Sequence, residues 1–427
     1  MNPVVISILV FVLSIVLYAS NIWPLGVTAM LALLVLVFTK CLEPAKALAG
    51  LGSGNVIIVV GMFVVSAGLK RTTLLETITR GIRTITSGSY RKAYIGVLVI
   101  GLIASSLITS PMVAYAICFP IMDAVCNEYK VSPSKGQFPL AVICIACCGI
   151  LPFGFAINQS ALYNGLLEAY GFNITMSPLD FTRGRLPMIL VLFFWAIFLA
   201  PKLTPEKPII PIQTATNTGS GQEKLKPLAN IMGCIIFFLT VLGLVFNTQI
   251  KIAPWMIVMG ACFLDVAFGV LSGKEAISSM AIDIGFILIG ATGMAQALID
   301  TGAATAVGGV ISSTLGGVQS GLLLNAVFFI VPFILTQFML NQGVMNIFAP
   351  ICLIASSALG ANPVGLLVLI TAGSLTAFMT PSATPAVPLA MAAGGYDFKS
   401  LFRMSWLLSL ILMPCYILYV YFVIPAF

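Results

Sequence analysis

The chain has 427 residues, of which 60% are hydrophobic and only 8% are charged, and its formal net charge is +7. Soluble proteins carry about 25% charged residues, so this composition excludes an ordinary soluble domain. Apolar runs of about 20 residues, the length that crosses a bilayer, recur along almost the whole chain. We therefore predict an all-α polytopic membrane protein. Histidine is absent from the sequence, which removes the commonest metal ligand and proton shuttle.

The first half of the chain contains five predicted spans, with an extra apolar region between the third and the fourth. The spans are residues 3–19, 22–39, 54–70, 137–166 and 185–203. The first run lacks a basic start and a small-residue cleavage site, so we interpret it as a retained helix rather than a signal peptide. In the extra region, residues 71–90 have the apolar spacing of a helix that lies along the interface. Residues 92–127 form two apolar arms around Ser110 and Pro111, which predicts a re-entrant hairpin.

The second half repeats this order. Its predicted spans are residues 228–247, 252–271, 281–299, 363–392 and 401–425. The connecting segment is 300–318, and residues 319–358 form two arms around Asn341 and Gln342. Between the halves, residues 204–226 form the only long hydrophilic linker. The sequence thus predicts about ten transmembrane helices, arranged as two repeats of five.

Basic residues predict the orientation of the two repeats. Residues 70–92 carry six Lys or Arg, while the corresponding segment 300–318 carries none. Because basic residues collect on cytoplasmic loops, the first segment is predicted to be inside. Fifteen basic residues are then cytoplasmic, and five are outside: Lys40, Lys46, Arg183, Arg185 and Lys251. Since each half has an odd number of spans, we expect inverted-topology repeats with both termini extracytoplasmic, in the inner (plasma) membrane of a bacterial-type cell.

Each half contains two polar interruptions at nearly the same spacing. Ser110 lies 42 residues before Pro152, and Asn341 lies 40 residues before Pro381. The motifs are Thr109-Ser110-Pro111, Pro152-Phe153-Gly154, Leu340-Asn341-Gln342-Gly343 and Thr380-Pro381-Ser382-Ala383-Thr384-Pro385. Irregular backbone at membrane depth is tolerated where it is buried in protein or lines a cavity. Duplicated breaks of this kind, a hairpin tip and an unwound helix in each repeat, indicate the binding site of a transporter.

The breaks can bind ions without a charged side chain. Helix N-termini favour anions through their dipole and free N–H groups, whereas carbonyl and hydroxyl oxygens favour a small hard cation. No Lys or Arg lies near any of the four breaks in the sequence, so we expect an uncharged site. The candidate substrate-binding residues are Ser110, Pro111, Asn158, Asn341, Gln342, Gly343, Thr380, Pro381, Ser382 and Thr384.

Simpler explanations compete for some polar residues. Ser106 and Thr336 each lie one helical turn before a hairpin tip, and hydroxyls in membrane helices often bond to the carbonyl four residues earlier. Asn158 could cap a helix. Asp265 is the one carboxylate deep within a predicted span, where a packed or helix-end role competes with proton coupling.

With these motifs the chain resembles the divalent anion:sodium symporter family of the ion transporter superfamily. The resemblance covers almost the whole chain and is closest from Phe378 to Tyr396. That family has Ser-Asn-Thr triplets at two opposed hairpin tips, each followed by an unwound helix. The resemblance implies one sodium site around Ser106, Ser110 and Gly154 and a second around Thr336, Asn341 and Ala383, with a dicarboxylate or related anion between the tips.

The resemblance also implies a homodimer in which a hairpin-bearing transport domain moves against a fixed scaffold as an elevator. The corresponding division is scaffold 1–90, transport domain 91–203, cytoplasmic linker 204–227, scaffold 228–318 and transport domain 319–427. Both triplets are altered, to Ser110-Pro111-Met112 and to Leu340-Asn341-Gln342. Met112 and Leu340 bring apolar bulk where the family has hydroxyls.

The sequence therefore predicts a secondary active transporter of a small anion, a di- or tricarboxylate, with an elevator-type mechanism and either sodium coupling or exchange. No cofactor is expected besides sodium as a coupling ion, and no nucleic acid partner. Alternatives within the same superfamily are an inorganic oxyanion or arsenite transporter and a sodium/proton antiporter. We do not expect an enzyme, because the chain has neither a His-Glu-x-x-His motif nor a paired intramembrane aspartate.

Overall fold

The structure is a computed structural model that describes residues 2–20, 22–73, 88–212, 225–280, 282–303 and 320–427. Within these residues the secondary structure is helical and contains no strand, which confirms the all-α class. Most of the predicted interfacial helix (74–87), of the second connector (304–319) and of the linker (213–224) lies outside the described residues.

The helices of the first half follow the predicted order. They are α1 Pro3–Ser20, α2 Leu25–Phe38, α3 Pro44–Ala49, α4 Gly54–Arg71, α5 Tyr90–Leu107, α6 Pro111–Glu128, α7 Gln137–Ala146, α8 Phe155–Ala169, α9 Pro178–Arg185 and α10 Met188–Leu203. The predicted hairpin corresponds to α5 and α6, and the predicted broken span to α7 and α8. Helix α10 includes one π-helical turn, Trp195–Leu199.

The second half has a similar order of elements, except that one continuous helix, α19, stands where the first half has α9 and α10. Its helices are α11 Pro227–Val245, α12 Pro254–Ala267, α13 Gly273–Ser278, α14 Ile282–Asp300, α15 Gly321–Thr336, α16 Asn341–Leu359, α17 Pro363–Leu375, α18 Ala386–Gly394 and α19 Phe398–Val423. Here α15 and α16 flank the hairpin tip, and α17 and α18 flank the unwound segment.

Helix lengths support a multi-pass membrane protein. Among the described residues, four helices (α5, α11, α16 and α19) are long and apolar enough to cross a membrane. The pair α9 and α10, bent by 50°, could form a fifth span. Seven more apolar helices or helix portions have 10–17 residues. The number of ten spans stays a prediction.

Both predicted unwound helices are broken in the structure. Helix α7 has 10 residues and α17 has 13, so each is about 15–20 Å long at 1.5 Å per residue. This is well short of the roughly 30 Å hydrocarbon core of a bilayer. Each therefore ends inside the protein, and α8 or α18 continues after an irregular segment.

The helices pack in two groups. In one group α2 packs on α14 and α1, and α12 packs on α4 and α11. In the other, α5, α6 and α7 pack together, as do α15, α16 and α17. The two halves of the chain interlock within this second group, because α18 packs on α6 and α7, α9 on α17, and α8 on α16. This interlocking places the two hairpins next to the two broken helices.

The first break depends on glycine. Gly154 has φ +46°, in the region that L side chains rarely adopt. It also lies against the other break of its repeat: a Cβ at this position would be 2.6 Å from the Leu107 carbonyl oxygen at the end of α5. Gly154 therefore allows the close approach of the unwound segment to the hairpin tip.

A buried arginine caps the first break, contrary to the expectation that no Lys or Arg lies near it. Arg185 is fully buried and donates hydrogen bonds to the carbonyls of Ala146 (2.8 Å) and Cys148 (3.0 Å), at the end of α7. One turn earlier, the Thr182 hydroxyl donates to the Ile150 carbonyl at 2.7 Å. The prediction failed because 37 residues separate Arg185 from Cys148 in the chain. The packing of α9 brings the guanidinium onto the C-terminal end of α7, where a cation is favoured.

A neutral side chain caps the second break. Gln337 is buried, and its Nε2 donates to the carbonyls of Thr376 (2.8 Å) and Phe333 (3.0 Å). Its Oε1 accepts from the Met379 N–H at 3.0 Å, and its carbonyl accepts from the Thr380 hydroxyl. One glutamine thus joins the second hairpin tip to the unwound segment after α17. Arg185 and Gln337 satisfy backbone groups that water cannot reach.

Substituting Gly154 by alanine should destabilise the protein. The new Cβ must displace the Leu107 carbonyl and adopt an unfavourable φ, so we expect a loss of roughly 2 kcal/mol or more. Gly165→Ala, within the helix α8 that follows Gly154, is the matched control, because a Cβ there meets nothing within 4 Å and alanine favours a helix. Thermal unfolding in detergent measures both. Equal melting temperatures for the two variants would contradict the close approach at Gly154.

Replacing Arg185 by methionine should lower the free energy of unfolding by roughly 2–4 kcal/mol, because the carbonyls of Ala146 and Cys148 lose their charged donor. Arg183→Met is the control, since Arg183 is exposed and lies 3.6 Å from Asp180. Such a surface pair contributes less than about 1 kcal/mol. Melting temperatures in detergent should therefore fall much further for Arg185→Met. A similar small shift in both variants would show that Arg185 does not hold the break.

Candidate functional site

A cavity of about 200 Å³ lies where the four breaks meet. Its lining residues come from both hairpin tips, from the second unwound segment and from Phe155, which directly follows the first unwound segment. They are Thr109, Ser110, Pro111, Met112, Phe155, Leu340, Asn341, Gln342, Met345, Leu375, Thr384 and Pro385. The sequence predicted that these four segments form one site, and they do share one cavity.

Four helices begin at this cavity. Pro111 and Asn341 are the first residues of α6 and α16, Phe155 is the first residue of α8, and Pro385 immediately precedes α18. The first N–H groups of a helix have no partner within it and carry a partial positive charge. Four such ends around one space create a positive potential without a cationic side chain in the lining.

The cavity wall is uncharged and combines polar with apolar side chains. None of the described residues that line it is Lys, Arg, Asp or Glu. Ser110 and Thr384 each contribute a hydroxyl, and Asn341 and Gln342 contribute amides. Ser110 is the N-cap residue of α6, yet its side chain makes no capping hydrogen bond. The hydroxyl is therefore available to a ligand in the cavity.

Oxygen atoms cluster at the second hairpin tip. The Thr336 Oγ1 lies 2.8 Å from the Ser374 carbonyl oxygen and 3.1 Å from the Asn341 Oδ1. Thr336 has 0% exposure and does not bond to the carbonyl four residues earlier, which is that of Pro332. The competing explanation, a hydrogen bond to the carbonyl four residues earlier in the helix, therefore does not apply to Thr336. Three oxygens from three segments converge here.

The first tip differs from the second. The Ser106 hydroxyl donates to the Leu102 carbonyl, four residues earlier, at 2.8 Å. The sequence left open a role in ion binding or a hydrogen bond within the helix, and the structure shows the hydrogen bond within the helix. Pro111 at the start of α6 has no N–H, so this helix offers one donor fewer than α16. The two tips are equivalent in the sequence repeat but not in their chemistry.

The predicted substrate residues divide into two sets. Five line the cavity: Ser110, Pro111, Asn341, Gln342 and Thr384. Five do not: Asn158, Gly343, Thr380, Pro381 and Ser382. Asn158 is exposed on α8, while its neighbour Gln159 is buried and bonds to Gln342. Thr380 is bonded to Gln337 and so supports the break.

The residues implied for sodium binding lie at both hairpin tips and in both unwound segments. Gly154 lies against the carbonyls of Ser106 and Leu107, and Thr336 contacts Asn341. Ala383 is buried, and its N–H donates to the Thr380 carbonyl at 3.2 Å. Sequence reasoning missed Gln337 and Gln159, although each is an amide adjacent to a named candidate.

Comparison with known proteins places the chain in a transporter family. The family model described as citrate transporter matches residues 9–266, which is more than half of the chain. An uncharacterized transporter of Synechocystis sp. is 26% identical over 210 residues, covering 48% of this chain and 32% of the relative. The chain therefore matches about a third of that relative's length.

Two further relatives are covered along most of their length. The sodium-dependent dicarboxylate transporter SdcS of Staphylococcus saprophyticus is 21% identical, covering 97% of this chain and 86% of the relative. An uncharacterized transporter of Haemophilus influenzae is 23% identical, covering 93% of this chain and 87% of the relative. Among solved structures, MtrF of Neisseria gonorrhoeae, from a class of antimetabolite efflux pumps, matches with 14% identity and a TM-score of 0.44, covering 99% of this chain and 95% of that chain. The family match and the named relatives confirm the expectation of a membrane transporter that is not an enzyme, and the chain belongs to the citrate transporter family.

Proposed function

We propose that this protein is a secondary active transporter that binds a di- or tricarboxylate in the cavity at the four breaks. The observation that carries the proposal is the convergence of four helix N-termini on one uncharged cavity. Membership of the citrate transporter family supports a carboxylate as the anion. The name of the Staphylococcus saprophyticus relative, a dicarboxylate transporter, points to the same class.

The helix ends supply much of the free energy that reversible binding of an anion needs. A helix N-terminus stabilises a negative charge by up to about 2 kcal/mol in a partly buried position. Four ends could therefore contribute a large part of the roughly 8 kcal/mol that corresponds to micromolar affinity. A site without a fixed cation releases its substrate more easily than a site with a buried ion pair, which suits a transporter. Pockets that bind drug-sized ligands have volumes of roughly 300–1,000 Å³. The cavity here, at about 200 Å³, is smaller, which suits a small carboxylate.

In this proposal, a coupling sodium ion binds at the second tip. Thr336, Asn341 and the Ser374 carbonyl offer three oxygens in a region that contains no cationic cap. Carbonyls at the ends of broken helices are typical ligands of coupling cations. At the first break, by contrast, Arg185 already engages two carbonyls, and the Ser106 hydroxyl is engaged within its helix. A second cation there would be repelled by the guanidinium.

The packing of the helices supports an elevator-type mechanism. The group that contains both hairpins and both broken helices corresponds to the proposed transport domain, and the group around α2, α4, α12 and α14 to the proposed scaffold. The breaks move together in this mechanism and carry the cavity across the membrane. The homodimer and the extracytoplasmic termini are part of the same proposal. Exposed Ile231, Ile235 and Phe238 on α11 provide an apolar face for lipid or a second subunit.

Transport can be tested with purified protein in liposomes. We expect uptake of radiolabelled citrate or succinate that depends on an imposed sodium or proton gradient, or on exchange with internal carboxylate. Asn341→Ala should reduce the initial rate at least about tenfold, because it removes a polar group from the cavity wall. Asn158→Ala is the matched control and should retain uptake, since Asn158 lies outside the cavity.

Further uptake measurements in the same liposomes distinguish sodium coupling and inorganic-anion transport from the proposed carboxylate transport. Thr336→Val should weaken sodium dependence more than Ser106→Ala does. Uptake of sulfate, phosphate or arsenite without any carboxylate flux would favour the inorganic-anion alternative. Absence of flux for every carboxylate, with a folded protein, would overturn the proposed function.

A further inference from the structure

A second cavity, of about 600 Å³, shares no lining residue with the cavity at the four breaks. Its wall is formed by the loop between α6 and α7, the end of α10, the first residues of the linker and the start of α19. The topology predicted from the basic residues places all four segments on the cytoplasmic side. The volume falls within the roughly 300–1,000 Å³ of ligand pockets.

The wall of this second cavity is basic. Its four basic side chains are Lys135, Lys202, Lys399 and Arg403. Its two acidic side chains are Glu206 and Asp397, so the lining has a formal net charge of +2. The Asp397 carboxylate is engaged at the N-terminus of α19, where it accepts from the Ser400 N–H at 2.8 Å. The cavity therefore favours an anion.

Three of these cations have no acidic partner within the protein. Lys202, Lys399 and Arg403 are exposed and form no ion pair with the described residues. Lys399 and Arg403 lie four residues apart on α19, so their charges share one face of the helix and repel each other. A bound anion would relieve this repulsion.

The fourth cation is fixed in place. The Lys135 Nζ donates to the carbonyl oxygens of Pro201 and Thr204, both at 3.0 Å. These carbonyls lie at the end of α10, where a cation is favoured. An ammonium group has three N–H donors, so one remains after these two hydrogen bonds. Among the described residues it has no further partner, and it is available to an anion in the cavity.

An exposed apolar stripe on α10 leads to the cavity. Leu190, Phe194 and Phe198 recur every four residues and are exposed, and the Phe194 and Phe198 rings lie 5.1 Å apart. Lys202 continues the same spacing at the cavity. The Arg91 guanidinium lies 5.1 Å from the centre of the Phe198 ring and adds a further cation at this end of the stripe.

A second apolar stripe leaves the cavity along α19. Phe402, Trp406 and Leu410 are exposed and also recur every four residues, starting beside Arg403. A tryptophan one or two turns inside a spanning helix is typical of the membrane interface. Helices α10 and α19 pack against each other, so the two stripes flank one basic cavity. In a bilayer these stripes face the acyl chains of lipid.

We propose that this second cavity binds the phosphate head group of an anionic phospholipid, whose acyl chains lie along the exposed faces of α10 and α19. Lys202, Lys399, Arg403 and the remaining N–H of Lys135 hold the phosphate. Basic residues at a membrane surface attract anionic lipids, and basic pockets between membrane helices bind their head groups. Free phosphate has the same head-group chemistry but gains nothing from the apolar stripes.

The bound lipid also fastens the linker to the start of α19, because Thr204 and Ile209 of the linker belong to the same wall. The Ile209 and Ile210 N–H groups already donate to the Gly395 carbonyl, at 2.8 and 3.1 Å. A lipid that binds across this junction in the folded protein raises its apparent stability.

The test measures lipid binding to the purified protein in a neutral detergent. Phosphatidylglycerol should raise the melting temperature by about 2 °C or more and remain bound in native mass spectrometry. Phosphatidylcholine with the same acyl chains is the lipid control and should do neither. Inorganic phosphate and glycerol 3-phosphate, which lack acyl chains, should stabilise the protein much less at equal concentration.

Variants locate the lipid. Lys399→Gln combined with Arg403→Gln should weaken phosphatidylglycerol binding at least about tenfold, because two charges near the phosphate are lost. Lys202→Gln, on the other helix, should weaken binding about three- to fivefold and provides a second test if the double variant does not fold. Lys226→Gln combined with Lys274→Gln is the matched control. It removes the same charge from the same predicted side of the membrane, outside the cavity, and should leave binding unchanged.

The outcomes are distinct from those of the transport assay, because lipid binding is measured without any carboxylate. Equal stabilisation by phosphatidylcholine, or equal loss of binding in the two double variants, would overturn the lipid site. Stabilisation by inorganic phosphate or glycerol 3-phosphate that matches phosphatidylglycerol would overturn the assignment to a lipid in favour of a soluble phosphate. Failure of carboxylate transport would overturn the proposed function alone.

Discussion

The structure depends on the satisfaction of backbone groups where helices stop inside the protein. Helices α7 and α17 end at the buried residues Ala146 and Leu375, so their last carbonyls are shielded from bulk water. Arg185 caps the first of these ends, and Gln337 caps the second. The carbonyl sides of the breaks are thus occupied by protein groups. The N–H sides, at the starts of α6, α8, α16 and α18, border the cavity, and in the proposed function they provide its affinity for anions.

The two caps make the repeats chemically unequal. Arg185 puts a permanent positive charge at the first break, which adds to the anion-attracting potential and disfavours a coupling cation there. Gln337 adds no charge, and the oxygens around Thr336 remain close together at the second break. In the proposed function, the first break therefore contributes electrostatic attraction, and the second contributes directional polar groups. The altered triplets, with Pro111 in the first and Asn341 and Gln342 in the second, fit this division.

Sequence reasoning predicted the helix breaks well, because proline, glycine and polar residues inside apolar runs have local physical effects. It also predicted that the four breaks share a site. It did not predict Arg185 or Gln337 as caps, since their partners lie 37 and 39 residues away and depend on helix packing. Asn158 and Gln159 illustrate the same limit. They are adjacent in the sequence, but helical geometry turns one side chain outward and the other toward Gln342.

The central claim is that helix N-termini, rather than cationic side chains, hold the transported anion. The most direct measurement is a cryo-electron microscopy structure of the protein in lipid with bound citrate. We expect carboxylate oxygens within about 3 Å of backbone N–H groups at the starts of α6, α8, α16 or α18, with no Lys or Arg in contact. Citrate bound by cationic side chains, or at a place away from the cavity that contains Asn341 and Ser110, would contradict it.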